Sequence, residues 1–356
     1  MVVVPLGLPT VPLPRPGAAA ADRPAWEPRL VDRFGRVAKD LRVSLTDKCN
    51  LRCSYCMPPE GLPWLAAERV LTDAEVIRLI GVAVERLGVT EVRFTGGEPL
   101  LRRGLVEIVR AAAALRPRPE LMLTTNAIGL DRVAPALAAA GLDRVNVSLD
   151  TLDHATFRAL SHRDRLDATL AGLEAAAGAG LRPVKINSVL LRGVNAGEVL
   201  ALAEFALANG HELRFIEQMP LDAQHAWDRG EMLTAAEILA TLSTRWSLTP
   251  DPAHRGAAPA ETWLVDGGPA RIGVIGAVTR PFCGACDRTR LTADGQIRDC
   301  LFADGETDLR GALRSGAGDE GIAALWRTAM WGKRAGHGID DPSFLQPDRP
   351  MSAIGG

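Results

Sequence analysis

Cys49, Cys53 and Cys56 place three thiols within eight residues, Cys49-Asn50-Leu51-Arg52-Cys53-Ser54-Tyr55-Cys56, directly after an apolar run that begins at Leu41. An odd number of cysteines cannot pair among themselves, so a metal centre suits this loop better than a disulfide. A 4Fe-4S cluster normally takes four Cys ligands. A Cys-x3-Cys-x2-Cys loop supplies three and leaves one iron open to another ligand. Cys283, Cys286 and Cys300 form a second triad with the same shortfall. Cys-x2-Cys is also a zinc half-site, but zinc sites are normally closed by four ligands, and the nearest candidate fourth, His337, lies far along the chain. The six cysteines thus divide into two triads with none left over, which favours two 4Fe-4S clusters over one cluster and incidental thiols.

These loops need a scaffold, and the chain between them has a clear rhythm. Short β-branched runs at 41–46, 91–94, 121–124, 144–148, 184–190 and 212–216 alternate with helical stretches at 71–87, 103–115, 130–140, 166–179 and 196–209. Thr72 and Glu75 read as a capping box opening the first helix. Strand–helix repetition argues a parallel α/β architecture. The unusual polar residues fall at or near the strand ends: the cysteine loop, Thr95-Gly96-Gly97-Glu98-Pro99, Thr124-Thr125-Asn126, Ser148-Leu149-Asp150, Asn187-Ser188 and Glu217-Gln218-Met219-Pro220. In a (β/α) barrel those ends share one face, the active-site face. Six units rather than eight predict an incomplete (β/α)6 TIM-type barrel with an open side. After residue 221 the rhythm breaks. A helix at 235–243, a hairpin across Asp266-Gly267-Gly268 and helices at 309–315 and 320–333 predict an α+β module that carries the second triad. The expected division is an extension over 1–30, a barrel over 31–245 and the module over 246–356.

At 356 residues and 47% apolar content the chain can bury a large core. A net charge of −2 advertises neither a nucleic-acid surface nor an anionic-membrane surface. The tract up to residue 28 is rich in Pro, Ala and Gly, lacks the basic start and unbroken apolar run of a signal peptide, and reads as a disordered extension. No apolar run is long enough to span a membrane, and clustered cysteines without evident pairing point to the cytoplasm. Arg42 and Arg93 sit inside the strands that lead into motif loops. Lys185 interrupts an apolar strand pattern, where a stray charge is costly unless it is paired or faces a lumen.

The cysteine loop, with an aromatic before its third Cys, and the Thr95–Pro99 segment resemble the two signatures of radical S-adenosylmethionine enzymes. In that superfamily the open iron chelates the amino and carboxylate groups of S-adenosylmethionine, and the reduced cluster cleaves its C–S bond to a 5′-deoxyadenosyl radical. The likeness narrows further. The segments 41–49 and 92–99, Cys283-x2-Cys286-Asp287-Arg288-Thr289-Arg290-Leu291, Cys300-Leu301-Phe302 and the final Gly355-Gly356 resemble the MoaA family, the GTP 3′,8-cyclases of molybdenum-cofactor biosynthesis. Ala127, where that family more often has Gly, and Asp287, where Asn is frequent, are departures.

The resemblance implies a lyase that removes the 3′ hydrogen of GTP and joins the ribose carbon to guanine C8. It implies Tyr55, Gly97, Ser148 and Met219 around S-adenosylmethionine, and a second cluster that holds the guanine. It assigns the triphosphate to Arg42, Arg93, Lys185, Arg288 and Arg290, with Thr124 and Thr289 as hydroxyl donors, and sends the Gly-Gly end into the active site. It assigns no side chain as a catalytic acid or base. The implied partners are GTP, an external electron donor and cyclic pyranopterin monophosphate synthase as the next enzyme, with the chain as monomer or homodimer. Two other readings remain: a peptide-modifying radical enzyme with an auxiliary cluster, and a non-catalytic electron carrier or zinc protein.

Overall fold

The computed structural model describes residues 27–355. Most of the extension expected over 1–30, and the final Gly356, lie outside the described residues. The body begins earlier than the expected boundary: Leu30 is fully buried and the Pro28 carbonyl accepts from Arg327 Nε at 3.2 Å.

Among the described residues twelve strands form one sheet: β1 (Asp40–Ser44), β2 (Glu91–Thr95), β3 (Glu120–Thr125), β4 (Arg144–Ser148), β5 (Lys185–Leu190), β6 (Glu212–Glu217), β7 (Leu248–Pro250), β8 (Glu261–Val265), β9 (Arg271–Ile275), β10 (Arg288–Leu291), β11 (Gln296–Arg298) and β12 (Thr307–Asp308). Their order is β12-β11-β10-β1-β2-β3-β4-β5-β6-β9-β8-β7. The first six run parallel in sequence order, as the strand–helix rhythm predicts. The C-terminal part does not stand off as a separate layer. It adds β10 parallel to β1 at one edge and β9 parallel to β6 at the other, so the sheet crosses the expected 245/246 division without a break. The sheet does not close, and the fold is an incomplete α/β barrel. Arg288 on β10 nevertheless donates to the Ala257 carbonyl just ahead of β8 at 3.0 Å, which ties the two flanks of the sheet to each other.

Alternation along each strand separates two faces. Leu41, Val43, Val92, Phe94, Leu121, Leu123, Val145, Val147 and Ile186 are fully buried under the helices. Each such side chain contributes about 1.5–3 kcal/mol by leaving water. Asp73–Leu87 starts on the expected capping box: Glu75 N–H donates to Thr72 Oγ1 and Thr72 N–H to Glu75. It ends at Gly88 in the left-handed region (φ 75°). The expected helix over 130–140 breaks at Val133 into a short 3-10 turn and Ala134–Ala140, with Pro135 in its first turn. A helix absent from the sequence reading, His154–Ser161, is capped by Asp153. Its C-terminal carbonyls accept from the cysteine loop: Arg52 N–H donates to Ser161 and Ser54 N–H to Leu160, both at 2.9 Å. Among the described residues no helix is long and apolar enough to cross a membrane.

Candidate radical-cofactor and nucleotide site

The first cysteine loop leaves β1 and is pressed against the loop after β2. Gly97 N–H donates to Thr46 O at 2.7 Å and Glu98 N–H to Lys48 O at 2.8 Å. A Cβ on Gly97 would lie 2.4 Å from Lys48 O, and one on Gly96 (φ 148°) 2.5 Å from Thr46 O. Only glycine allows this backbone-on-backbone approach. The resulting cavity is lined by all three thiols together with Tyr55, Gly97, Thr124 and Ser148. Burial pushes Cys49 up to about 12, Cys56 up to about 11 and Cys53 well above the ordinary thiol value. Left alone, all three stay protonated; a bound metal centre supplies the positive charge that makes thiolates of them. The donor set fits a cluster that needs three thiolates on one side.

Around this cavity the motif residues fasten to one another. Buried Glu98 accepts from Leu100 N–H (2.9 Å), Thr125 Oγ1 (2.7 Å) and Asn126 N–H (2.8 Å). Burial still raises its carboxyl to about 7. Asn126 Nδ2 donates to Asn50 Oδ1 at 2.7 Å, so the loops after β1, β2 and β3 form one unit. Tyr55 Oη donates to Asp150 Oδ2 at 2.6 Å, and Asp150 Oδ1 accepts from Val189 N–H at 2.8 Å. Burial lifts Asp150 to about 6. Glu98, Asn126 and Asp150 were visible in the sequence only as members of strand-end motifs. Met219 is not on this wall. It packs against the clusters around Leu221, Val278 and Ile354 and around Ala260, Ile275 and Ala277.

The second triad lies in the C-terminal region, around β10 and β11. Cys283 opens a 3-10 turn, Cys286 N–H donates back to Cys283 O at 3.1 Å, and Cys300 follows β11. The three are close enough that Cys283 feels the charge of both Cys300 and Cys286, and Cys300 that of Cys286. Lys333, missed in the sequence, is buried and donates to Arg288 O at 2.8 Å and to Cys286 Sγ at 3.3 Å. Burial works to raise Cys286, but Lys333 and Arg288 outweigh it and hold the thiol below its ordinary value. A cavity of about 300 Å³ lies beside Cys300, with Phe302 and His337 in its wall. The His337 ring Nδ1 accepts from Ile339 N–H at 3.1 Å, and its main-chain N–H points to Cys283. Among the described residues no three Cys, His, Asp or Glu side chains converge as a site for a single metal ion.

Between the triads the concave face of the sheet is cationic. Arg290, Arg42 and Arg93 occupy one rung across β10, β1 and β2; Arg144, Lys185, Arg214 and Arg288 join them on the same face. The carboxylates there, Asp40, Glu91, Glu120 and Glu212, are fewer. Lys185 pairs with Glu212 at 2.6 Å and Arg144 with Glu120 at 2.5 Å, while Asp40 lies 3.6 Å from both Arg42 and Arg288. Burial lowers Arg93 and Arg290 to about 9 and Arg214 to about 10, with neighbouring arginines adding to the effect. Arg93 Nε and Nη1 and Arg214 Nε and Nη2 have no hydrogen-bond partner among the described residues. Buried charge without a partner is costly, and a polyanionic ligand would remove that cost. Arg214 escaped the sequence reading, although the alternation Glu212-Leu213-Arg214-Phe215 marks it as facing Lys185's side. Thr289 requires correction as a hydroxyl donor. It lies between Arg288 and Arg290 and so faces the helices, where its Oγ1 accepts from Trp326 Nε1 at 2.9 Å.

The C-terminal segment closes the site. Met351–Ile354 forms one helical turn, and Met351 and Ser352 line the first cysteine cavity. Met351 N–H donates to Leu221 O at 3.0 Å, and Ser352 hydrogen-bonds the Cys56 sulfur. Arg290 Nη1 donates to Gly355 O at 2.5 Å.

Comparison with known proteins agrees with this geometry. Residues 43–206 match the radical SAM superfamily and residues 211–339 match Molybdenum Cofactor Synthesis C. A protein of Streptomyces coelicolor named GTP 3′,8-cyclase is 66% identical over 328 residues, spanning 92% of this chain and 96% of that protein. One of Mycobacterium marinum with the same name is 60% identical over 360 residues, spanning 100% of both. Among solved structures, Streptococcus suis SuiB bound to S-adenosylmethionine shares the fold, with a TM-score of 0.55 at 14% identity over 90% of this chain and 78% of that one. The chain belongs to the GTP 3′,8-cyclase family of the radical S-adenosylmethionine superfamily.

Proposed function

We propose that this chain converts GTP to (8S)-3′,8-cyclo-7,8-dihydroguanosine 5′-triphosphate, the first step of molybdenum-cofactor biosynthesis. The observation that carries the reading is the row of buried arginines between two cysteine triads, with guanidinium nitrogens of Arg93 and Arg214 lacking partners among the described residues. A triphosphate has the charge and the oxygen count to engage them, each charge-assisted hydrogen bond contributing about 1.5–3 kcal/mol.

In this reading Cys49, Cys53 and Cys56 hold one 4Fe-4S cluster and Cys283, Cys286 and Cys300 a second. Once bound, these groups and S-adenosylmethionine supply an electron from an external donor, the radical that removes the 3′ hydrogen, and an open iron for the guanine. The chain's own residues bind, orient and exclude water. Tyr55, Gly97 and Ser148 line the cavity that takes S-adenosylmethionine, Tyr55 being held in place by Asp150, while Met219 adjoins it from the cluster it shares with Met351, itself part of the cavity wall. Arg42, Arg93, Lys185, Arg288 and Arg290 take the triphosphate, with Thr124 and, beyond the sequence reading, Arg214. Thr289 acts through its outward contact with Trp326, which fixes the strand that presents Arg288 and Arg290. The rigid positioning of one C–H bond near one reactive atom is the protein's main contribution.

The enzyme is then a cytoplasmic lyase, monomeric or homodimeric, whose product passes to cyclic pyranopterin monophosphate synthase. Calorimetry of GTP, GDP and guanosine binding to the anaerobic protein tests the substrate assignment. Affinity should fall from GTP to GDP to guanosine and weaken with salt; equal affinity for all three would refute the role of the arginine row.

A further inference from the structure

Arg349 stands two residues before the C-terminal turn and bridges two carboxylates at once. Its Nη1 and Nη2 donate to the two oxygens of Asp294, each at 2.9 Å, and its Nε approaches Glu306 Oε1 at 2.7 Å. Asp294 is 1% exposed. These carboxylates frame the β11–β12 hairpin, the segment that carries Cys300. From the same anchor the chain runs directly to the contacts of Met351 with Leu221, Ser352 with Cys56 and Gly355 with Arg290.

We propose that Arg349 is a positioning residue, setting the C-terminal segment in register between the Cys300 hairpin and the first cysteine loop. A planar guanidinium suits the task, because it holds a carboxylate in a fixed fork while its third nitrogen reaches another. A lysine in its place can satisfy only part of that set. The hairpin does not depend on Arg349 alone. Arg298 Nη1 donates to Glu306 at 2.6 Å, and Thr292 Oγ1 donates to Asp294 at 2.6 Å. The loss on removing Arg349 therefore falls on the tail rather than on the hairpin. The part of this inference that concerns turnover rests on the proposed function; the part that concerns seating of the tail does not.

Hydrogen exchange on the anaerobically purified full-length protein separates a positioning role from a merely structural one. In Arg349→Gln, protection of the amides of residues 351–355 should fall by about tenfold or more, the range expected for lost charge-assisted hydrogen bonds. Protection across 294–308 should stay near wild type, and Arg349→Lys should recover part of the tail signal. Arg229→Gln, which breaks an exposed pair with Asp340, serves as the control and should leave the tail unchanged. Arg349→Gln should also consume S-adenosylmethionine without a matching yield of cyclised GTP. Wild-type protection at 351–355 in Arg349→Gln, or an equal loss across 294–308, would overturn the proposal. If Arg349→Gln does not fold, Glu306→Gln retains the Asp294 fork, and its tail protection should still drop severalfold; no drop would overturn the proposal. A wild-type protein that fails to cyclise GTP would remove the functional reading while the exchange data still decide the seating.

Discussion

The main-chain oxygen of Gly355 sits on the guanidinium of Arg290, a residue of the cationic row on the concave face. The chain's own end thus reaches the same group that would take a substrate phosphate, and the fit there is tight. Gly355 has φ 88°, and a Cβ on it would lie 2.4 Å from Thr95 Oγ1. Gly355→Ala therefore adds left-handed backbone strain of about 1–2 kcal/mol to a steric clash. Turnover of GTP should drop by at least about tenfold (1.36 kcal/mol per decade), with iron content unchanged. A steady-state assay beside an iron determination checks both.

Arg214 and Thr289 should separate cleanly. Arg214→Gln should weaken GTP binding by roughly ten- to a hundredfold, the loss of a charge-assisted contact. Thr289→Val should leave GTP affinity unchanged and lower the unfolding temperature, because the buried Trp326 N–H loses its acceptor, at a cost of about 1–3 kcal/mol. Titration calorimetry and thermal unfolding of the two variants provide the comparison.

That contrast also shows what could be read from the chain before its structure. The six parallel strands were legible because their β-branched runs are long enough to alternate, and Thr72 with Glu75 announced the helix that follows β1. β10 was not read as a strand, since Arg288-Thr289-Arg290-Leu291 is short and polar. Had it been, alternation alone would have sent Thr289 to the face opposite Arg288 and Arg290. β11 and β12 have only 3 and 2 residues, too few for any periodic pattern. Both cysteine triads and the glycine pair at 96–97 were legible as local motifs. The seating of the tail by Arg349 was not, because its partner Asp294 lies 55 positions away. Ala127 illustrates the same limit: it has φ 64° and is fully buried, so a left-handed position usually kept for glycine carries a methyl group here.

Glu98 gives a pH signature. Its folded carboxyl is raised to about 7 by burial, from an ordinary 4.5. Between those values the unfolded chain has already released the proton that the folded chain retains, so stability falls as pH rises through this window. Asp150, raised to about 6 from 3.8, adds a fall of the same sign over a lower range. Glu98→Gln should flatten the upper part of the slope. It should also destabilise the protein, because an amide N–H₂ cannot accept from Asn126 N–H or both other donors. Unfolding temperatures measured between pH 5 and 8 for the two proteins reveal this.

The two triads should be separable by metal content. Anaerobic protein should contain about eight irons, the sum for two four-iron clusters. Cys283→Ser should lower that number while the first site still cleaves S-adenosylmethionine, and no cyclised GTP should form. About four irons in the wild-type protein would remove the second cluster.

The most direct measurement uses GTP deuterated at the ribose 3′ carbon, incubated anaerobically with the protein, S-adenosylmethionine and a reductant. Mass spectrometry should find the deuterium in 5′-deoxyadenosine, alongside a cyclised product of the nucleotide formed only when both cysteine triads are intact. Unlabelled 5′-deoxyadenosine with GTP recovered unchanged would contradict the proposed chemistry.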